Sequence, residues 1–327
     1  MKNYLVYLGL TLTAVLWGGS FVMTRFLFEA EPRLTPVIIV SIRLLLASLV
    51  LIPIVVGMGQ WECIQRKDLP LFLIMALLEP FLYFICENSG IRRVPGGLSS
   101  VIIATIPLFV PFGLFVAYRE RLHWINWVGL LLSILGVWVM IQDKGTLQEV
   151  SLSGLLFLIM AVVIAVIYSV FLVKVVNKYK PYTITVYTNL IGLGYFIPLF
   201  FCMDFPVFRQ LHFTFPMLLA LLGLGLCCSA LAYILFNLGV KRVGASRASV
   251  FNNAIPIFTL IFAGMLGQER ITGFKVLGMA LILIGVLVAQ RGARSGEGSQ
   301  GDGMREGSPK DGLCEDPKKD GLCEGSR

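Results

Sequence analysis

Residues 71–141, LFLIMALLEPFLYFICENSGIRRVPGGLSSVIIATIPLFVPFGLFVAYRERLHWINWVGLLLSILGVWVMI, align without a gap on residues 220–290, ALLGLGLCCSALAYILFNLGVKRVGASRASVFNNAIPIFTLIFAGMLGQERITGFKVLGMALILIGVLVAQ. The offset is 149, and 20 of the 71 positions are identical. Asn88 falls on Asn237, Arg93-Val94 on Arg242-Val243, Ile106-Pro107 on Ile255-Pro256 and Glu120-Arg121 on Glu269-Arg270. Gly129 and Gly136 fall on Gly278 and Gly285. The match continues more loosely towards the start of each half, where Pro36 and Pro53 face Pro181 and Pro198 at an offset of 145. The chain is therefore two homologous halves. Each half holds five long apolar stretches, and an odd number of crossings turns the second copy upside down relative to the first. Repeats of this kind place a binding site between the halves near the bilayer midplane.

Composition agrees with a membrane reading. With 57% apolar and 14% charged residues and a mean hydropathy of +0.83, the chain lacks the polar surface to cover a soluble globule. A helix needs about 20 apolar residues to cross a hydrocarbon core roughly 30 Å thick. Ten such runs are expected, at 4–27, 36–56, 69–90, 95–117, 124–141, 152–173, 182–202, 214–238, 244–266 and 273–290. The fold class is an all-α integral membrane protein of ten transmembrane helices in two inverted five-helix repeats, 4–141 and 152–290. The apolar run after Lys2 is too long for the core of a signal peptide, so it reads as a retained helix. Residues 291–327 turn to Gly, Ser, Glu, Asp and Lys and read as a disordered cytoplasmic tail containing a nine-residue near-duplicate. Lys and Arg at the span ends number 12 on the side of the N-terminus and 8 on the other, which favours cytoplasmic termini in a bacterial inner membrane.

Several function classes lose ground at once. The net charge of +8 is scattered over short loops on both faces, so no strip for nucleic acid exists. The seven cysteines have neither disulfide nor zinc spacing. No metal site and no cofactor is expected. His123 and His212, the two histidines, lie at span edges, and the sequence contains no zinc-protease or nucleophile-elbow motif, which argues against an intramembrane enzyme.

The informative residues are polar ones inside spans, since an ionisable group in hydrocarbon costs a few kcal/mol and faces a cavity or a partner. Glu79 and Glu87 are the two carboxylates placed within the expected spans, both on the third. Glu79 lies about eleven residues, or roughly 16 Å, from the far end of its helix. Pro80 follows it, removes a backbone hydrogen bond and kinks the helix. Glu87 is expected near the surface, and Tyr83 and Cys86 on the Glu79 face of a polar cavity. Arg43 lies inside the second span, where two roles stay open: a salt bridge with Glu79 or Glu87, or a hold on an anionic substrate group. The second half has Cys228 and Phe236 in place of the two glutamates, and offers Asn189, Asn252 and Asn253 instead. Pro107 and Pro256 occupy equivalent positions of the fourth and ninth helices, where gating bends are expected. The paired glycines of the fifth and tenth helices keep one face smooth for helix contact, inside a monomer or across a homodimer.

These features resemble the drug/metabolite transporter superfamily, EamA type. The resemblance rests on Ala14-Val15-Leu16-Trp17-Gly18-Gly19-Ser20-Phe21, on Arg43, and on a doubled Pro-x12-Glu-Arg-x7-Gly-x6-Gly-Val string beginning at Pro107 and Pro256. It covers residues 4–290. It implies a cavity lined mainly by the first, third, fourth, sixth, eighth and ninth helices, and export of small metabolites, amino acids or drugs by alternating access. Trp17 and Tyr168, its counterpart in the second half, join the substrate-pathway candidates. A mid-membrane glutamate also makes protons candidate partners beside the small-molecule substrate and the lipid bilayer. A facilitative uniporter or a channel-like permease is the alternative.

Overall fold

A computed structural model describes residues 3–118, 124–143, 150–244, 248, 250–285 and 287–288. All regular elements among them are helical. Seven helices are long and apolar enough to cross a membrane. They are α1 (Tyr4–Ala30), α2 (Pro36–Gly57), α3 (Arg66–Ile91), α4 (Gly96–Ala117), α6 (Leu152–Val176), α7 (Pro181–Phe208) and α8 (Phe215–Val243). Three shorter apolar helices complete the set among the described residues, α5 (Trp127–Ile141), α9 (Phe251–Met265) and α10 (Gly273–Gly285). Polar residues set the helix starts: Thr35 Oγ1 accepts from Ile38 N at 3.2 Å, and Ser151 Oγ accepts from Gly154 N at 3.5 Å.

Two helices extend furthest beyond the sequence expectation. α7 runs on to Phe208, six residues past the expected end, and so carries the buried Asp204, whose carboxylate is hydrogen-bonded by Thr35. α8 reaches Val243, past the expected 238. The Glu120-Arg121 pair, Arg247 and the tail from Arg291 onward lie outside the described residues.

Among the described residues, the loop-to-loop bonds fall into two separate sets. Arg92 donates to Pro32 O at 2.7 Å, and Ser151 N to Arg93 O at 3.2 Å, joining the connections that follow α1, α3 and α5. Gly97 N, just beyond the α3–α4 connection, reaches Glu269 after α9 at 2.6 Å. This is the distal face. On the face of the N-terminus, Lys178 pairs with Asp68, Glu62 accepts from Lys180 N at 3.0 Å, and Lys241 Nζ donates to Tyr179 O at 3.1 Å. The hydrogen bond to Asp68 holds the Lys178 ammonium above its usual pKa. This division is what helices crossing in alternate directions produce.

The internal repeat is also visible in packing. Gly90 of α3 and its equivalent Gly239 of α8 each seat a leucine from the first helix of the opposite half, Leu158 of α6 and Leu10 of α1. A Cβ at either glycine would overlap that leucine. α5 and α10 meet along a second seam: a Cβ on Gly136 would lie 2.6 Å from Gly278 O, one on Gly278 2.6 Å from Gly136 O, and one on Gly285 2.6 Å from Gly129 O. The four glycines therefore close the monomer upon itself, backbone against backbone.

Backbone on the far side of that seam cannot yield, whereas Gly194 on exposed α7 meets nothing within 4 Å. Gly136→Val is expected to destabilise the protein by about 1–3 kcal/mol through overpacking. Gly194→Val should leave the detergent melting temperature nearly unchanged, so equal melting curves for the two variants would contradict the seam.

Candidate functional site

Four helices lose their regularity at the centre of the molecule. α3 widens into a π-helix at Leu77–Leu82, and Glu79 within it is extended at φ −140°, ψ 118°. α8 does the same at Gly223–Leu231, over the equivalent stretch but without a proline. α4 breaks at residues 104–105, between Gly96–Ile103 and Ile106–Tyr118. α9 opens with a 3-10 turn, Val250–Ala254, before Ile255–Met265. Pro107 and Pro256 each stand second in the helix that resumes after the break, where a missing N–H costs nothing. Wider turns free carbonyls that hydrocarbon cannot satisfy, so neighbouring side chains must. Trp17 Nε1 donates to Cys228 O at 3.2 Å, Asn189 Nδ2 to Ser229 O at 3.4 Å and Thr13 Oγ1 to Ala232 O at 3.4 Å. On the α3 side, Gly192 of α7 leaves the room that the Pro80 ring occupies.

A cavity of about 90 Å³ lies among these breaks, lined by Trp17, Ser20 and Phe21 of α1, Arg43 of α2, Glu79, Tyr83, Phe84 and Glu87 of α3, and Ile103 and Ile106 of α4. The second half adds Tyr168, Ser169 and Leu172 of α6, Tyr233, Phe236 and Asn237 of α8, and Asn252 and Ile255 of α9. Helices of both halves thus share one wall, and α2 joins the six helices the resemblance implies. The volume is small beside typical ligand pockets of roughly 300–1,000 Å³, so this conformer is a nearly closed one.

Charge inside the cavity is ordered by three pairs. Tyr233 OH donates to Glu79 Oε1 across the two halves. Tyr83 OH donates to Glu87 Oε1 at 2.7 Å, one helical turn away. Arg43 donates from Nε to Ser229 Oγ, and its guanidinium lies 4.0 Å above the centre of the Phe84 ring. Of the two roles left open for Arg43, the salt bridge is absent: neither Glu79 nor Glu87 comes within ion-pair distance among the described residues. The reason is the close approach of α2 to α8 at Gly225, which puts Arg43 against the opened turn of the other half. A planar cation stacked on an aromatic face keeps its remaining N–H groups for another acceptor.

Of the sequence candidates, Trp17, Arg43, Glu79, Tyr83, Glu87, Tyr168 and Asn252 line the cavity. Asn189 and Asn253 do not: the first serves the α8 carbonyl, and the second is buried with both amide atoms unpartnered. Cys86 also points elsewhere, because the extended Glu79 breaks the helical register that would have aligned it. Glu87 is buried within the protein. Tyr233 was missed. Its signal was the repeat itself, which places it on Phe84, within five residues of Cys228, the counterpart of Glu79.

The sequence matches the EamA-like transporter family over residues 5–142 and again over residues 152–290. The chain belongs to this family. An uncharacterized transporter of Archaeoglobus fulgidus is 28% identical over 291 residues, covering 89% of this chain and 99% of its own. The uncharacterized transporters YetK and YdfC of Bacillus subtilis are 24% and 26% identical, covering 88% and 87% of this chain and 87% and 90% of theirs. A protein known from its crystal structure superposes with a TM-score of 0.61 at 18% identity, over 85% of this chain and 97% of its own, which shows a shared fold. The EamA chain is thus a multi-pass integral membrane transporter, all-α, with ten helices in two inverted repeats.

For this EamA protein, the Arg43–Ser229 contact should register as a coupling between halves. Arg43→Gln and Ser229→Ala are expected to be non-additive by roughly 0.5–3 kcal/mol in a double-mutant cycle of unfolding in detergent. Strict additivity would show that the contact contributes nothing.

Proposed function

We propose that this protein is a secondary active transporter that exports small organic molecules by alternating access. One observation carries the proposal: a cavity shared by the two inverted halves, at the breaks of four helices, with a cation and two carboxylates on its wall. Broken helices at the interface of repeats are where transporters hold substrate. The Arg43 guanidinium, free of carboxylate, suits an anionic group. Glu79 and Glu87 suit an ammonium, and Trp17, Phe21 and Phe236 suit an apolar body. Asn237, held by Thr185 through Nδ2, keeps Oδ1 without a partner beside the cavity. The favoured substrates are small molecules with both charge and an apolar part, amino acids and their analogues among them. Catalysis has no place in this reading.

Glu79 is assigned the coupling role, taking up a proton on one side and releasing it on the other with Tyr233 as its hydrogen-bond donor. In proteoliposomes, Glu79→Gln is expected to abolish flux driven by a pH gradient while sparing substrate counterflow. Wild-type flux with wild-type pH dependence in that variant would remove Glu79 from the mechanism. Loss of counterflow in the wild-type protein together with single-channel currents would favour a channel-like permease.

The face of the N-terminus is assigned to the cytoplasm of a bacterial cell, from the excess of Lys and Arg there. An impermeant thiol reagent applied to whole cells is expected to label Lys144→Cys and to leave Lys178→Cys unlabelled. The reverse pattern would invert the orientation.

A further inference from the structure

We propose that Glu269 is a latch that holds the distal face of the transporter shut, releasing Gly97 once in each transport cycle. The inference rests on the alternating-access reading and adds the part that must break. Gly97 stands in the first turn of α4, in the first half, and Glu269 lies just after α9, in the second. The Glu269 carboxylate accepts from Gly97 N at 2.6 Å through Oε1 and from Lys275 Nζ at 2.9 Å through Oε2. Both charged side chains are only 7% exposed, whereas the Arg25–Glu29, Arg33–Glu31 and Lys178–Asp68 pairs lie at the surface. A carboxylate there meets an otherwise unpaired backbone N–H and the positive end of the helix dipole. Gly97 is shaped for it, since a Cβ would stand 2.7 Å from Oε2.

The surrounding contacts close the same face. Gln268 Nε2 donates to Val22 O at 3.2 Å; deeper, at the level of the cavity, Thr259 Oγ1 donates to Gly18 O at 3.1 Å. Gly18 approaches so near that a Cβ would meet Phe258 Cβ at 2.7 Å. On the distal side of the cavity, α1 and α4 are thus each tied to the segment that follows α9, through Val22–Gln268 and Gly97–Glu269, and opening towards that side must part Glu269 from Gly97. The repeat sets Glu269 opposite Glu120, but Gly97 opposite Ser246 and Lys275 opposite Asn126, so neither the glycine nor the ammonium is duplicated.

The labelling step needs no substrate. In the full chain, with the seven native cysteines replaced, Ser20→Cys places one thiol on the cavity wall. Its labelling by an impermeant methanethiosulfonate is followed in membrane vesicles of both orientations. Glu269→Ala is expected to raise the labelling rate from the distal side about tenfold or more, since a hydrogen bond to a charged group is lost from the closed state only. Labelling from the N-terminal side should not rise. The exchange Glu269→Lys with Lys275→Glu restores opposite charges, but an ammonium cannot accept from Gly97 N, so labelling should stay fast. Unchanged labelling in Glu269→Ala, or wild-type labelling in the exchange variant, would overturn the latch. If Glu269→Ala fails to accumulate, Gly97→Ala takes its place, because the added Cβ displaces the carboxylate. Saturable counterflow together with unchanged labelling would discard the latch and keep the carrier, whereas loss of counterflow in the wild-type chain would discard the carrier itself.

Discussion

Backbone amides have no water to turn to inside hydrocarbon, and this constraint organises the centre of the molecule. Each opened helix turn exposes a carbonyl whose orphaning would cost several kcal/mol. The side chains that answer come from the other elements of the core: Trp17 and Thr13 from α1, Asn189 from α7. Satisfying the backbone therefore fixes which helices touch. The same irregular turns draw Arg43 towards Ser229 and let Tyr233 reach Glu79, so the polar chemistry of the cavity is a by-product of broken helices.

Packing supplies the rest of the order. Lipid tails are as apolar as leucine, so helices gain nothing from hiding apolar surface and must fit closely instead. Gly90 and Gly239, Gly136 and Gly278 mark where backbones come nearest. These contacts run between halves. The cavity walls, in contrast, are joined by a few hydrogen bonds that can exchange partners.

Ten helices, the doubled architecture and the family were legible in the sequence, because apolar length and a 149-residue offset are one-dimensional signals. Seven of the nine substrate-pathway residues also reached the cavity wall, since buried charge and aromatic residues in a span have few places to go. Where the structure departs from the sequence reading, three-dimensional packing decides. Cys86 was placed by regular helical periodicity across a turn that is not regular. Depth along the membrane leaves Arg43 open between Glu79 or Glu87 and a substrate anion, whereas its partner is decided by the close approach of α2 to α8 at Gly225. Asn189 and Asn253 were chosen for polarity alone, and polarity does not tell a carbonyl's partner from a ligand's. Tyr233 escaped because a tyrosine in a span is unremarkable until the helix facing it is known.

The glycine seam between α5 and α10 has a reciprocal form. Gly136 meets Gly278, which is the repeat of Gly129, and Gly129 meets Gly285, which is the repeat of Gly136. Each surface is the other's copy, so the contact is isologous, with the self-complementarity of a two-fold dimer interface. A single five-helix segment bearing these two glycines could have paired with an inverted twin through the same face, before any linker joined the two. Joined in one chain, the two surfaces meet at a fixed effective concentration, so the seam forms as an intramolecular contact and does not depend on how much protein is present.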